Sequence, residues 1–350
     1  MNSQLTDRMN RILQYVINEY IDTGEPVGSR TIVKKYNLNL SSATIRNIMA
    51  DLEDSGYLFQ PYTSAGRVPT KEAFQYYVDS LIQLRDISDE LRNKVMDSIK
   101  GNELKLSNIC TRVSDIISNI TNCIGVVVVP DIRMSSLKHI EFLKLGGNKI
   151  LVIIVNELGQ VQNKLLDTDS KITQDELNRV SSYLNEKFSG KSIFEVKKRI
   201  LNELEFVKNS FNKKISSLID KFSHIEWTDS AVQKDIIVKG LKNFIKNDYF
   251  KEDIESLKKL LSLFDEKNKI LNMVEQSIKT PGIQIFIGSQ NQEFENLSVV
   301  TSSYSKNGVI LGSLGVIGPL RMKYDTIIPI VDCAAQIITT VLNDKFRRLT

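Results

Sequence analysis

Between Met9 and Leu52 the apolar residues fall into three runs with steps of three and four, and each run is cut off by residues that end helices. Met9, Ile12, Leu13, Val16, Ile17, Tyr20 and Ile21 form the first stripe, which fades at Thr23-Gly24. Pro26-Val27-Gly28 makes a turn, and Ile32, Val33 and Tyr36 give a short second helix closed by Asn37-Leu38-Asn39. Ser41 is a natural N-cap for a third helix, whose stripe is Ile45, Ile48, Met49 and Leu52 and whose stop is Gly56. Tyr57-Leu58-Phe59-Gln60, the turn-rich Pro61 to Gly66, and Arg67-Val68 then read as a β-hairpin, before Pro69-Thr70 starts a helix through Phe74, Tyr77, Val78, Leu81 and Ile82.

Helix, short helix, turn, helix and hairpin is the order of a winged helix-turn-helix, expected over residues 1–85. In that geometry the helix after the turn enters the major groove by its N-terminal residues. Its face away from the apolar stripe carries Ser42, Ala43, Thr44, Arg46 and Asn47. Arg can bond a guanine edge bidentately, Asn an adenine edge, and a Thr methyl can touch thymine. Charge is arranged to match: Pro26 to Ala50 holds Arg30, Lys34, Lys35 and Arg46 with no acid, and Asp51, Glu53 and Asp54 crowd the far end. Lys34, Lys35, Arg67 and Lys71 are therefore expected on phosphates, with Tyr62 and Ser64 beside them at the hairpin.

Bulk charge gives no such hint, since 46 basic residues against 42 acidic leave a net charge of only +4. The 3 cysteines (Cys110, Cys123, Cys333) are far apart and the 2 histidines (His139, His224) isolated, which excludes a disulfide scaffold and a zinc finger. No Walker-type phosphate loop, dinucleotide fingerprint or nucleophile elbow occurs, so neither catalytic residues nor a cofactor are expected. The apolar runs Cys123 to Val129 and Ile150 to Val155 fall short of the ~20 residues of a membrane span. A cytoplasmic chain with no membrane partner is the expectation.

Those two runs read as buried central strands, with a weaker alternating strand from Leu137 to Leu145 between them. Strand-like segments return at Ile283 to Ile287, Leu297 to Thr301 and Gly308 to Leu314, followed by a final helix from about Ile327 to Arg347. The two strand-rich blocks are expected in one sheet, and the glycines between Gly312 and Pro319 in turns. Separating the blocks is a helical stretch whose seam is Val196, Ile200, Leu204, Val207, Phe211, Ile215, Leu218 and Phe222. Such a seam seeks a partner helix, in the same chain or in a second copy, and it is the best candidate for the dimer contact. The fold class is α+β and multidomain, with a helical unit inserted into a sheet domain.

Several of these segments resemble the heat-inducible transcription repressor HrcA family. They are Gly24-Glu25-Pro26-Val27-Gly28-Ser29, Leu40 to Asn47, Met49-Ala50-Asp51-Leu52-Glu53 and Thr63 to Thr70, and toward the C-terminus Gly282 to Asn291, Leu297 to Thr301 and Gly315 to Tyr324. The chain departs from the family pattern at Tyr62, where histidine is usual, at Ala73, where glycine is usual, and at Leu320, where threonine is usual. The resemblance implies a winged-helix domain (1–85), a GAF-like domain in two halves (100–170 and 268–350) and an inserted dimerisation domain (171–267). It further implies a homodimer that represses chaperone operons at an inverted-repeat operator, is released on heat stress, and has the chaperonin as a partner. The alternative is a ligand-sensing winged-helix regulator whose GAF-like domain binds a small-molecule effector.

Overall fold

The computed structural model describes residues 5–99, 106–129, 136–146, 148–168, 172–192, 195–196, 199, 213–224, 236–245, 269–271, 274, 280–288 and 296–345. Helix α1 (Asp7–Thr23) starts where Thr6 Oγ1 accepts from the Met9 amide at 3.3 Å. It ends at Gly24, whose φ of 75° is left-handed and whose N–H donates to the Tyr20 carbonyl. Glycine adopts that conformation without the clash a Cβ would bring. Helix α2 (Ser29–Tyr36) stops at Asn37, and α3 (Ser42–Asp54) is capped by Ser41 Oγ, 3.0 Å from the Thr44 amide. Strands β1 (Leu58–Phe59) and β2 (Val68–Pro69) pair antiparallel, Leu58 opposite Pro69. Helix α4 (Lys71–Tyr76) continues into one π-turn, Tyr77–Leu81.

The apolar stripes are the buried ones: Ile12, Leu13, Val16, Ile17, Ile32, Ile45, Met49 and Leu52 close a core with Leu58 and Phe74. Each such side chain contributes about 1.5–3 kcal/mol relative to exposure, and helices this short depend on that packing.

The chain continues through α5 (Asp89–Ile99), α6 (Leu106–Thr121), β3 (Ile124–Val128), β4 (Leu137–Lys144), β5 (Lys149–Asn156), β6 (Val161–Asp167), α7 (Gln174–Phe188) and α8 (Lys213–His224). Then follow β7 (Ile236–Lys239), α9 (Leu241–Ile245), β8 (Ile283–Ile287), β9 (Leu297–Lys306), β10 (Val309–Pro319) and α10 (Tyr324–Lys345). The strands do not share one sheet. β7-β3-β10-β9-β8 form an antiparallel sheet, and β4-β5-β6 form another. Ile124 to Val128 is buried at every position and lies inside the larger sheet, whereas β5 buries only Ile150, Val152, Ile154 and Asn156. An all-apolar strand hides its period of two, so Ile150 to Val155 reads as doubly covered when only one face is.

Three further expectations change. Gly312, Gly315 and Gly318 lie within β10 rather than in turns. At Gly312 a Cβ would fall 2.4 Å from both the Tyr304 hydroxyl and the Val128 carbonyl. Helix α10, expected from about Ile327, begins at Tyr324 and is long and apolar enough to cross a membrane by length and composition. Val331, Ala334, Ala335, Ile338 and Leu342 are nonetheless buried where it packs on β9, β10 and α6, which is the core helix of a sheet layer. Finally, Val196, Leu218 and Phe222 do not wait for a second copy: they are buried with Phe142, Leu177, Val180, Leu184 and Phe188 between α7, α8 and the smaller sheet. The Phe222 ring meets that of Phe142 edge-on, centroids 5.5 Å apart. A heptad seam requires only an apolar surface, and a sheet face supplies it as well as a helix. Ile200, Leu204, Val207 and Phe211 lie outside the described residues, as does the side chain of Ile215.

Candidate nucleic-acid interface

Helix α3 presents Ala43, Arg46 and Asn47 to solvent on the side away from the buried Ile45, Ile48, Met49 and Leu52. They lie within about one turn of a rigid element, and no ion pair engages Arg46 among the described residues. Ser42 and Thr44 are half-buried, and Thr44 Oγ1 sits 2.9 Å from Ser41 Oγ, so the threonine hydroxyl is shared with the cap. The positive end of the helix dipole and the acid-free first turns favour an anionic partner at this end.

Among the four cations expected on phosphates, the structure separates two from the others. Lys34 is exposed on α2 and Lys71 is half-buried in the first turn of α4. Lys35 instead points back to α1, its ammonium 2.5 Å from Glu19 Oε2 and 3.6 Å from Asp22 Oδ2. The hydrogen bond to Glu19 pushes its pKa up from the ordinary lysine range. Arg67 is also turned inward. Its Nη2 lies 2.7 Å from Glu53 Oε2, and only 18% of its side chain is accessible.

The hairpin explains why. Arg67 exchanges both backbone hydrogen bonds with Val27, N–H to carbonyl at 2.9 Å in each direction. The neighbouring Gly66 passes so close that a Cβ would stand 2.4 Å from the Val27 carbonyl carbon. Glycine is thus required by the turn between α1 and α2, not by an approaching phosphate. What the hairpin offers outward is its tip: Pro61, Tyr62, Thr63 and Ser64 are exposed, Tyr62 to 62%. Gln60 braces that tip by donating through Nε2 to the carbonyls of Thr63 (3.0 Å) and Ala65 (2.9 Å). Phe59, 44% exposed, stands beside it. Neither Gln60 nor Phe59 was singled out in the sequence. The exposed position of Phe59 in an alternating hairpin was the available signal.

Ala73 is fully buried under the hairpin, so a methyl group fits where the family's glycine is usual. Cys110, Cys123 and Cys333 are buried, and burial pushes the Cys123 thiol up to about 12, which leaves it without thiolate at neutral pH. No cluster of metal-ligating side chains occurs among the described residues.

Residues 107–328 match the family model described as the HrcA protein C terminal domain. A heat-inducible transcription repressor HrcA from Geobacter sulfurreducens is 38% identical over 98% of this chain and all of its own length. The one from Syntrophobacter fumaroxidans is 35% identical over 98% of this chain and 99% of its own length. A crystal structure described as that of a hypothetical protein superposes with a TM-score of 0.61 at 22% identity, covering 97% of this chain and 99% of the other, and so shares the fold. With a family model over most of its length and relatives aligned almost end to end, this chain belongs to the HrcA family.

Proposed function

We propose that this chain is a cytoplasmic, heat-inducible transcription repressor whose first 85 residues form a winged helix-turn-helix. Helix α3 reads base edges in the major groove through Arg46 and Asn47, with Ser42 and Thr44 at its entry, while Lys34 and Lys71 hold phosphates and Tyr62 and Ser64 touch the adjacent groove or backbone. The observation that carries the reading is an exposed Arg-Asn pair on a helix capped at Ser41, acid-free in its first turns and flanked by a hairpin with an exposed tip. That the relatives are heat-inducible transcription repressors supports it. No membrane and no enzymatic step enter this reading.

Two copies act together, because one head reads too few base pairs to stand out against a genome, and a two-fold protein reads an inverted repeat. The larger sheet is the GAF-like domain. We take the inserted unit to comprise β4-β5-β6 with α7 and α8, beginning at about residue 136 instead of 171; the separate sheet and its shared core with α7 and α8 support that boundary. Its outer sheet face favours it as the dimer surface: Leu143, Leu151 and Leu165 align across the three strands, Val155 lies opposite Val161 on two of them, and Leu165 and Val161 are 59% and 61% exposed. Before pairing, those leucines and valines are apolar surface of the kind a chaperonin captures, which supports the chaperonin as partner.

The test is a binding titration on an inverted-repeat duplex, selected from random-sequence DNA by the protein itself, against a scrambled duplex of equal length. One dimer per repeat, with discrimination of about a thousandfold or more, is expected. Equal affinity for both duplexes would refute it.

A further inference from the structure

The strip from Arg321 to Asp325, joining β10 to α10, makes contact with the end of α1 and with α4 in the N-terminal helical unit. Lys323 Nζ lies 3.4 Å from Asp22 Oδ1, near the end of α1. The Arg321 guanidinium covers Gly24, 2.9 Å from where a Cβ would stand. The Tyr324 ring packs at 6.3 Å from Phe74 of α4 and is itself fixed from below, its hydroxyl donating to the Leu320 carbonyl (2.8 Å) and meeting Ser298 Oγ at 2.7 Å. Asp325 then holds the connecting segment twice: its carbonyl accepts from the Arg85 amide at 3.0 Å, and its carboxylate lies 2.5 Å from Arg85 Nε. Residues 83–88 carry no helix or strand, so without these contacts the head would hang on a flexible connection.

We infer that Arg85 and Asp325 are positioning residues for operator reading: by clamping residues 83–88 to the first turn of α10, they orient each head so that both α3 helices of a dimer meet their half-sites at once. The inference rests on the function proposed above. Its physical content is effective concentration. Two heads held at the right separation, about one helical turn of DNA or a multiple of it, bind the second half-site intramolecularly. Heads that swing lose that advantage while each keeps its own half-site contacts. The clamp is built for orientation rather than stability, since Arg85 is 73% exposed and an exposed pair stabilises little.

Full-length Arg85→Asp, Asp325→Arg and the reciprocal double variant test it, with the selected inverted-repeat duplex and the same duplex cut to one half-site as probes. Each single reversal is expected to weaken full-repeat binding by about tenfold or more with half-site affinity unchanged, and the double variant to restore full-repeat affinity. Arg85→Gln, which buries nothing new, is expected to weaken the full repeat in the same direction and replaces any reversal that misfolds. Unchanged or tighter full-repeat binding by the single variants, equal losses on both duplexes, or no rescue by the double variant would each overturn the positioning role. If the unsubstituted protein discriminates neither duplex from scrambled DNA, the failure lies instead with DNA reading itself.

Discussion

Arg67 Nη2 and Glu53 Oε2 lie 2.7 Å apart, so the hairpin's arginine is spent on the far end of helix α3 instead of projecting toward a phosphate. This bond ties the return strand of the hairpin to helix α3, while the backbone of Arg67 ties it to the turn at Val27. Arg67→Ala is accordingly expected to lower stability by about 1–2 kcal/mol, read by urea unfolding. The slope of log affinity against log salt should stay unchanged. Lys34→Ala should do the opposite, reducing that slope by about one counterion with little effect on stability. A lowered slope for Arg67→Ala would show that the guanidinium leaves Glu53 when DNA binds.

The two faces of the smaller sheet are expected to respond differently to the same chemistry. Leu218→Asp places a charge among Phe142, Leu184 and Phe222 and should unfold the unit, seen as lost ellipticity and early melting. Val161→Glu with Leu165→Glu changes side chains already 61% and 59% exposed, and should give a folded monomer by sedimentation. A stable dimer of that double variant would remove the outer face from the interface.

Tyr77 gives a pH signature for the head. Burial, and secondarily the Asp325 carboxylate, push its phenol up to about 12, and its hydroxyl donates to Asn18 Oδ1 at 3.0 Å. A raised pKa means that the folded state holds the proton more tightly. The resulting stability is fully present below the ordinary value of about 10 and is lost as pH rises from there through about 12. Tyr77→Phe should flatten the fall in stability over that window in denaturant unfolding at graded pH. An unaltered fall would place its cause in other groups.

Much of this was legible in the residues because helix stripes and caps are local. Ile12 to Ile21, Ile45 to Leu52, Ser41 and Gly24 fall where their spacing puts them. The outward Arg46 and Asn47 follow from the same periodicity. What local pattern could not supply was the choice of partner. Lys35 and Arg67 look like free cations until Glu19 and Glu53, 16 and 14 positions away in sequence, are folded against them. Ile150 to Val155 looks like the interior of the large sheet because both of its alternating faces are apolar, and the seam from Val196 to Phe222 cannot say whether a helix or a sheet covers it. Pairing over long separations is decided by total burial, which a window of ten residues does not contain.

Base readout by α3 is tested by repeating the duplex selection with Arg46→Ala and with Asn47→Ala and comparing base preference position by position. Each variant should lose preference at one pair of positions related by the two-fold axis, at a cost of about 1–3 kcal/mol per lost contact, with affinity for scrambled DNA nearly unchanged. A preference profile identical to that of the unsubstituted protein, with affinity lowered alike on every sequence, would mean that these side chains touch only the backbone and that α3 does not read the operator.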